Sequence, residues 1–461
     1  MEFLTRRFLN IKKVKKDVEG STDRIIHSKQ RSLETSINEG AAASVTGRIV
    51  ANFITPFALA LNATAFHIGI LTSFYGLTAS FSQLIGNKLT AAYSRKTIVR
   101  KTVLIEAILL IPIALLGILA WKGFFQPYLL ASLIAIYVIS SIFSGIAFVT
   151  WFSWMGDLVP AKDRGAYFSV RHRATELVAL ATGLLCAFLL DTFKTKGLAL
   201  VGFAVIFLIA SIAKTISYSL FRKQYSPKFR FKQKYYFSIW NFLRTFDNYG
   251  KFAVYQACFA FSLMVASPFF AVYMLQELKF SYVTFTLVTI SASMFYIIFS
   301  PLIGKFADRF GNTKLFFISN FLFILTPLFW LFLKTPLALI LLPQFLAGIA
   351  NAGFILSKNN FTYDSVSRQR RVLCVAYANI LTGIGIFLGS LLGGYLISQI
   401  NIFNMNSFFF VFCLASGLRL LTGLIFLPQI KEERKTEKIP RMHIDINHPS
   451  YAIDWLKTVT R

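Results

Sequence analysis

Four ionisable side chains, Arg48, Glu106, Lys214 and Arg419, fall inside long apolar runs of the chain. A charge in an apolar span is costly to place, so each is a candidate for binding or coupling. A guanidinium such as that of Arg48 presents a fixed positive charge and a fork of donors that suits a carboxylate or a phosphate. A carboxylate such as Glu106 can carry a coupling proton where its surroundings favour the neutral form. Both have competing readings. Arg48 can snorkel to the headgroups or pair with Glu106, and Glu106 can pair with Arg48 or Lys214. Enzymatic chemistry finds no footing: there is no P-loop, no Gly-x-Ser-x-Gly, no His-Glu-x-x-His and no paired carboxylates. Cys186, Cys258, Cys374 and Cys413 sit inside apolar runs without metal-ligand spacing, so neither a metal nor another cofactor is expected.

The elements that hold these residues are set by composition. Of 461 residues 56% are hydrophobic and only 15% charged, whereas a globular domain has about 25% charged residues. No polar blocks separate soluble domains, so the chain reads as a polytopic membrane protein. The net charge of +28 would in a soluble chain suggest nucleic acid. Here the basic residues cluster between apolar runs, and nucleic acid is not an expected partner.

Runs long enough to cross a bilayer lie near 41–62, 66–86, 102–121, 126–155, 172–191, 197–221, 251–275, 281–304, 314–333, 336–357, 373–399 and 405–428, giving twelve spans. Basic residues crowd alternate loops: Lys88, Arg95, Lys96, Arg100 and Lys101 after span 2, Lys162, Arg164, Arg171 and Arg173 after span 4, Arg222 to Lys251 after span 6, and Lys305, Arg309, Lys358 and Arg368 to Arg371 after spans 8 and 10. The opposite loops hold few, such as Lys122, Lys194 and Lys279. By the positive-inside rule the basic loops and both termini are cytoplasmic, in a multi-pass cell-membrane protein.

Two loops echo each other: Gly86-Asn-Lys-Leu-Thr-Ala-Ala-Tyr-Ser-Arg-Lys96 after span 2 and Gly304-Lys-Phe-Ala-Asp-Arg-Phe-Gly-Asn-Thr-Lys314 after span 8. A second echo pairs Asp157 to Arg164 after span 4 with Asp364 to Arg371 after span 10. Echoes at equivalent loops argue for a six-plus-six duplication. The expected organisation is a basic cytoplasmic segment 1–40, a bundle 41–221, a linker 222–250, a second bundle 251–428 and a cytoplasmic tail 429–461. Gly304, Asp308, Arg309 and Gly311 match the G-x-x-x-D-R-x-G loop of the major facilitator superfamily, which the chain resembles over roughly 35–430. Ala63 to Gly69, Ser94 to Lys96 and Leu158 to Phe168 are similar to uncharacterised prokaryotic members. The first loop departs from the signature, with Thr90, Ala91 and Tyr93 in place of Asp, Arg and Gly.

The resemblance implies an all-α membrane protein, with twelve transmembrane helices in two six-helix bundles, working as a secondary transporter by alternating access. It implies that spans 1, 4, 7 and 10 line a central cavity. At similar depth lie Arg48, Asn52, Thr150, Trp151, Gln256 and Asn351, a polar set with one positive charge that suits an anionic or amphiphilic small solute. Trp151 has a competing reading with Trp154 as an interfacial belt. The resemblance also implies that the second loop gates the cytoplasmic side, with Gly304 and Gly311 bending a turn that presents Asp308 and Arg309 to the other half, where Asp157, Arg164 and Arg171 extend the pairing. Lys214 and Arg419 belong to peripheral spans and are expected to snorkel. Gly385, Gly389 and Gly393 recur every fourth residue and read as a helix-packing stripe. Leu4, Phe8, Ile11 and Val18 with interleaved Lys and Arg read as a basic amphipathic helix for an anionic inner leaflet, or as a solvated tail. The remaining expected partners are a small-molecule substrate and a coupling proton or ion, with the chain acting as a monomer. The competing function is a non-transporting receptor or lipid-interacting scaffold on the same fold.

Overall fold

The computed structural model describes residues 20–160, 163–227, 238–367, 370–399 and 407–437. Twelve helices in it are long and apolar enough to cross a membrane. They are α1 Ser28–Ala60, α2 Ala65–Thr90, α3 Arg95–Trp121, α4 Gln126–Leu158, α5 Tyr167–Thr195, α6 Ala199–Lys223, α7 Asn248–Glu277, α8 Tyr282–Phe310, α9 Asn312–Phe332, α10 Pro336–Ser365, α11 Leu373–Gln399 and α12 Ser407–Gln429. No strand occurs among the described residues. Local chemistry explains where several begin. Ser94 accepts from the Thr97 amide at 3.2 Å, Asp247 from Gly250 at 2.7 Å and Ser281 from Thr284 at 3.1 Å. Each side chain satisfies an amide that the first helical turn leaves unpaired.

Proline sets the irregularities. α7 breaks between Met264 and Phe269, and Pro268, which has no amide to offer the Met264 carbonyl, opens the second stretch. α10 carries a π-helical turn, Ile340–Gln344, around Pro343. A wider turn is one way to absorb the missing proline amide. The span expected from residue 41 begins much earlier: Ser32, Leu33, Ser36 and Glu39 are all buried in α1. The basic amphipathic segment at residues 4–18, residues 228–237 of the linker expected at 222–250 and the tail beyond 437 lie outside the described residues.

Packing divides the chain into two units. Unit 1 comprises residues 1–54, 82–129 and 139–231; unit 2 comprises 55–81, 130–138 and 232–461. In unit 1, α3 lies along α6, and α6 along α5. Trp154, Met155, Leu158 and Phe221 form a core near the basic loops, into which Trp151, Phe168 and Tyr225 pack from the side. α5 meets α1 closely at Gly40, where a Cβ would stand 2.7 Å from an Arg171 guanidinium nitrogen.

In unit 2, α11 has glycine on two faces. A Cβ at Gly385, Gly389 or Gly393 would come within 2.2, 2.3 and 2.1 Å of the Ala257, Phe261 and Val265 carbonyl oxygens of α7. On another side, Gly383 meets Ser80 and Gly394 meets Ala65, both of α2. Gly69 of α2 returns the contact against the Ser390 carbonyl. This close approach draws the Lys/Arg-poor part of α2 into unit 2, although it precedes the joint in sequence. Sequence duplication and packing therefore divide the chain at different places.

Candidate functional site

Unit 1 contains a chain of ion pairs threaded through its helices. Arg48 of α1 donates to Glu176 of α5 at 3.4 Å. One and a half turns earlier in α5, Arg171 donates to Glu39 of α1 at 3.2 Å, and Ser217 of α6 donates to the other oxygen of Glu39 at 2.8 Å. The Arg171 guanidinium also lies 4.4 Å from the Trp151 ring centre. Three residues before Ser217 on α6, Lys214 pairs with Glu106 of α3 at 2.8 Å. Breaking one partner of such a pair leaves an uncompensated charge, so the pairs lock helix register.

The expected binding residues fall out as follows. Thr150 is fully buried and its hydroxyl has no partner; Asn52 Nδ2 and Trp151 Nε1 are likewise buried atoms without partners. Arg48 is not a lone positive charge, because Glu176 of α5 offsets it. In unit 2, Gln256 is 6% exposed and packed inside the unit, and the Asn351 side-chain amide donates to the Ala347 carbonyl of its own helix at 2.8 Å. Glu106 takes the alternative role of ion-pair partner to Lys214, so Lys214 does not snorkel. Arg419 does not snorkel either. It is 1% exposed and donates to the Phe323 and Leu263 carbonyls at 2.6 and 3.4 Å.

The loop residues expected to form a gate have other partners. Gly304 lies within α8, with only Leu356 as near as 4.0 Å to a built Cβ, so it bends no turn. Gly311 alone makes the turn, at φ +97°, a conformation other residues adopt with strain. Asp308 pairs at 3.7 Å with Arg434, and Arg309 at 2.6 Å with Glu437, both on the segment that follows α12. The same segment reaches back through Glu432, which accepts from the Thr313 amide at 2.8 Å, and through Lys431, whose amide donates to Asn248 at 2.9 Å. Asp157 and Arg171, expected to extend the gate, are engaged by Arg95 and Glu39 instead. Arg164 begins its helix, and its side chain lies outside those described.

The two sequence echoes turn out to touch each other. Arg95, from the loop after α2, donates to Asp157 at 2.7 Å and to the Ser153 carbonyl at 2.9 Å. In the second copy Asn312, from the loop after α8, donates to Asp364 at 3.3 Å, and Arg434 supplies the cation at 2.7 Å. The hydrogen bonds that Arg434 donates to Asp364 also hold its guanidinium above its ordinary pKa. Arg95 has a side chain 1% exposed, against 38% for Arg434. Truncating Arg95 to alanine should therefore cost about 2–4 kcal/mol of stability through lost hydrogen bonds and a cavity. The matching Arg434 change should cost under about 1 kcal/mol, as for an exposed pair. Thermal unfolding of the two variants in detergent checks the order; equal losses would refute it.

Two halves with the same loop-to-aspartate connection are the mark of one duplicated bundle, and sequence comparison agrees. The Major Facilitator Superfamily matches residues 40–245 and 252–455. The chain belongs to this superfamily. It is a multi-pass membrane protein of a family of secondary transporters, and the fold expected from the sequence is the one observed. Among solved structures it is similar to the nucleoside transporter NupG, at 14% identity over 87% of this chain and 99% of that one, TM-score 0.65. The D-xylose-proton symporter is similar at 14% identity over 90% and 100%, TM-score 0.66. A POT family transporter in complex with 5-aminolevulinic acid is similar at 16% identity over 87% and 97%, TM-score 0.63. At these identities the likeness is one of fold. A search of curated proteins finds no match.

Glu39 was outside the sequence reading because the basic residues at 24–31 hid the start of α1. The repeat of Ser32, Ser36, Glu39 and Gly40 at helical spacing was the available signal. Arg95 was counted only as loop charge, and nothing in its composition distinguishes it from Lys96.

Proposed function

We propose that this transporter moves a small solute bearing an acidic or otherwise acceptor-rich group across the cell membrane by alternating access. The observation that carries the reading is the trio of buried, unpartnered polar atoms on α1 and α4: Asn52 Nδ2, Thr150 Oγ1 and Trp151 Nε1. Buried polar groups in native proteins are nearly always paired, so these three orphans on α1 and α4 call for a ligand or water. Two of the three are donors only and the third can donate, so the complement is an acceptor. Arg48 lies one turn from Asn52 and adds charge to the same helix face. The symporter among the structural neighbours makes a coupling proton a natural companion, and Glu39 and Glu106 are two buried carboxylates within spans that would answer to it. The distribution of Lys and Arg supports cytoplasmic basic loops and termini.

Reconstitution tests the reading. Proteoliposomes should accumulate labelled small carboxylates or phosphate esters, and Thr150→Val with Asn52→Leu should lower uptake at least tenfold while leaving the folded fraction unchanged. A folded protein that moves no member of an anionic panel yet moves a cation or neutral sugar would overturn the acidic-solute reading. A cysteine replacing the exposed Tyr93 should label from the cytoplasmic side alone.

A further inference from the structure

Lys358, which in sequence follows span 10 as a loop charge, lies inside α10, seven residues before the helix ends at Ser365. It is half-buried. Arg48, Arg171 and Lys214 each face a carboxylate within their unit. Lys358 differs: among the described residues no acidic group pairs with its ammonium.

The position of Lys358 on α10 gives the isolation a direction. A step of seven residues returns an α-helix to nearly the same face. Gln344, Asn351, Lys358 and Ser365 follow that step, and every one is polar. Ser365 Oγ is buried without a partner. The other faces of α10 are occupied. Gly348 abuts Phe295 and the Ala292 carbonyl of α8, Gly353 abuts Ser319 and Leu315 of α9, and Phe361 packs 4.8 Å from Phe252 of α7. None of these contacts is made by Gln344, Asn351 or Lys358, and Lys358 is the one charge of the polar stripe. An ammonium in an apolar span without a counter-charge needs either water or an anion beside it.

We propose that Lys358, flanked by Asn351 and Ser365, is the cationic anchor for an anionic oxygen group, a carboxylate or phosphate, of the transported solute. This rests on the acidic-solute reading above and moves its principal charge from Arg48, which Glu176 already offsets, to α10. The site chemistry is a point charge with an amide and a hydroxyl two turns to either side. It selects charge and acceptor capacity rather than a planar bidentate group.

The test reads local potential and needs no identified solute. In a background with the four cysteines replaced, a cysteine at Thr362, one turn from Lys358, is labelled with methanethiosulfonates bearing either a sulfonate or a trimethylammonium group. A unit charge roughly 6 Å away in a water-like medium favours the anionic over the cationic reagent about tenfold. Lys358→Gln should therefore lower the anionic-to-cationic rate ratio about tenfold. A cysteine at Asn351 provides a second reporter should the Thr362 variant misfold. Inorganic phosphate should slow the anionic reagent in lipid-depleted detergent. An unchanged ratio, or no labelling by either reagent, overturns the site. Protection seen only when phosphatidylglycerol is supplied in nanodiscs assigns the charge to a lipid headgroup and also overturns it. A tenfold ratio change with no anion flux in proteoliposomes supports the site and overturns the transport reading. Flux that survives Lys358→Gln with an unchanged ratio overturns the site alone.

Discussion

Replacing Gly389 by leucine should abolish folded protein, and replacing it by alanine should leave a folded but clearly destabilised one. The reason is the backbone contact between α11 and α7. A Cβ at Gly389 would stand 2.3 Å from the Phe261 carbonyl oxygen, and its neighbours one turn away on either side are equally tight. A flexible side-chain tip could swing aside; a helix backbone held at three successive turns cannot. Alanine must therefore push the helices apart over several turns, an overpacking cost of about 1–3 kcal/mol. Leucine adds three further carbons to a space that does not exist. In lipid, where burial of apolar surface no longer drives association, close van der Waals approach of backbones is what holds helices together, so the loss is not recovered elsewhere. Gly417 of α12 is the control, since a Cβ there meets nothing within 4 Å. Gly417→Ala should be neutral or slightly stabilising, by up to about 1 kcal/mol, through helix propensity. Size-exclusion profiles and thermal unfolding in detergent compare the three variants. A monodisperse Gly389→Leu protein with unchanged unfolding temperature would show that α7 and α11 do not meet as described.

The second large effect is expected at Arg419. A helix carbonyl ordinarily accepts the amide four residues on, and for Phe323 that residue is Pro327, which has none. The orphaned carbonyl lies in the middle of α9, where lipid offers no donor. Arg419 fills the gap from α12, with Nη1 2.6 Å from the Phe323 oxygen. Ser416, one turn earlier, donates to the neighbouring Ile324 carbonyl at 2.9 Å. The second guanidinium nitrogen reaches Leu263 at 3.4 Å, just before α7 breaks. Arg419 is thus a brace across two proline-disrupted helices, and its burial answers to backbone chemistry rather than to a ligand. Arg419→Leu should cost about 2–4 kcal/mol, from the unsatisfied Phe323 carbonyl and the imperfect refilling of the space. Pro327→Ala restores an amide at 327 that can take the Phe323 carbonyl. In that background the Arg419→Leu penalty should shrink by about 1–2 kcal/mol, a coupling that a double-mutant cycle measures directly. Strict additivity of the two changes would mean that Arg419 and Pro327 act independently.

The outline of this protein was legible in its residues because a bilayer imposes a one-dimensional rule. Each crossing needs an unbroken apolar stretch, so hydropathy alone counts twelve helices, and the Lys and Arg clusters mark which loops belong together. The loop echoes were legible for a related reason: duplication copies residues in order, and Asp157 and Asp364 kept theirs. The Gly385, Gly389 and Gly393 stripe also spoke for itself, since small residues at one-turn spacing have few other uses in a membrane helix.

Partnership was not legible, because ion pairs form between helices whose rotation and depth are settled only by packing. Arg48 could have met Glu106 or a headgroup; the approach of α5 to α1 at Gly40 gave it Glu176. Asp308 and Arg309 were read as facing the opposite half, yet Arg434 and Glu437 hold them from a segment that looked like featureless tail. Lys358 looked like loop charge because a lysine at the end of an apolar run and one inside a helix are the same letter. Only the tertiary structure shows that it lies inside α10 with no carboxylate partner among the described residues. Composition decides what must be buried in lipid, while helix rotation decides which charges meet, and a difference of a single residue in register turns a helix face by about 100°.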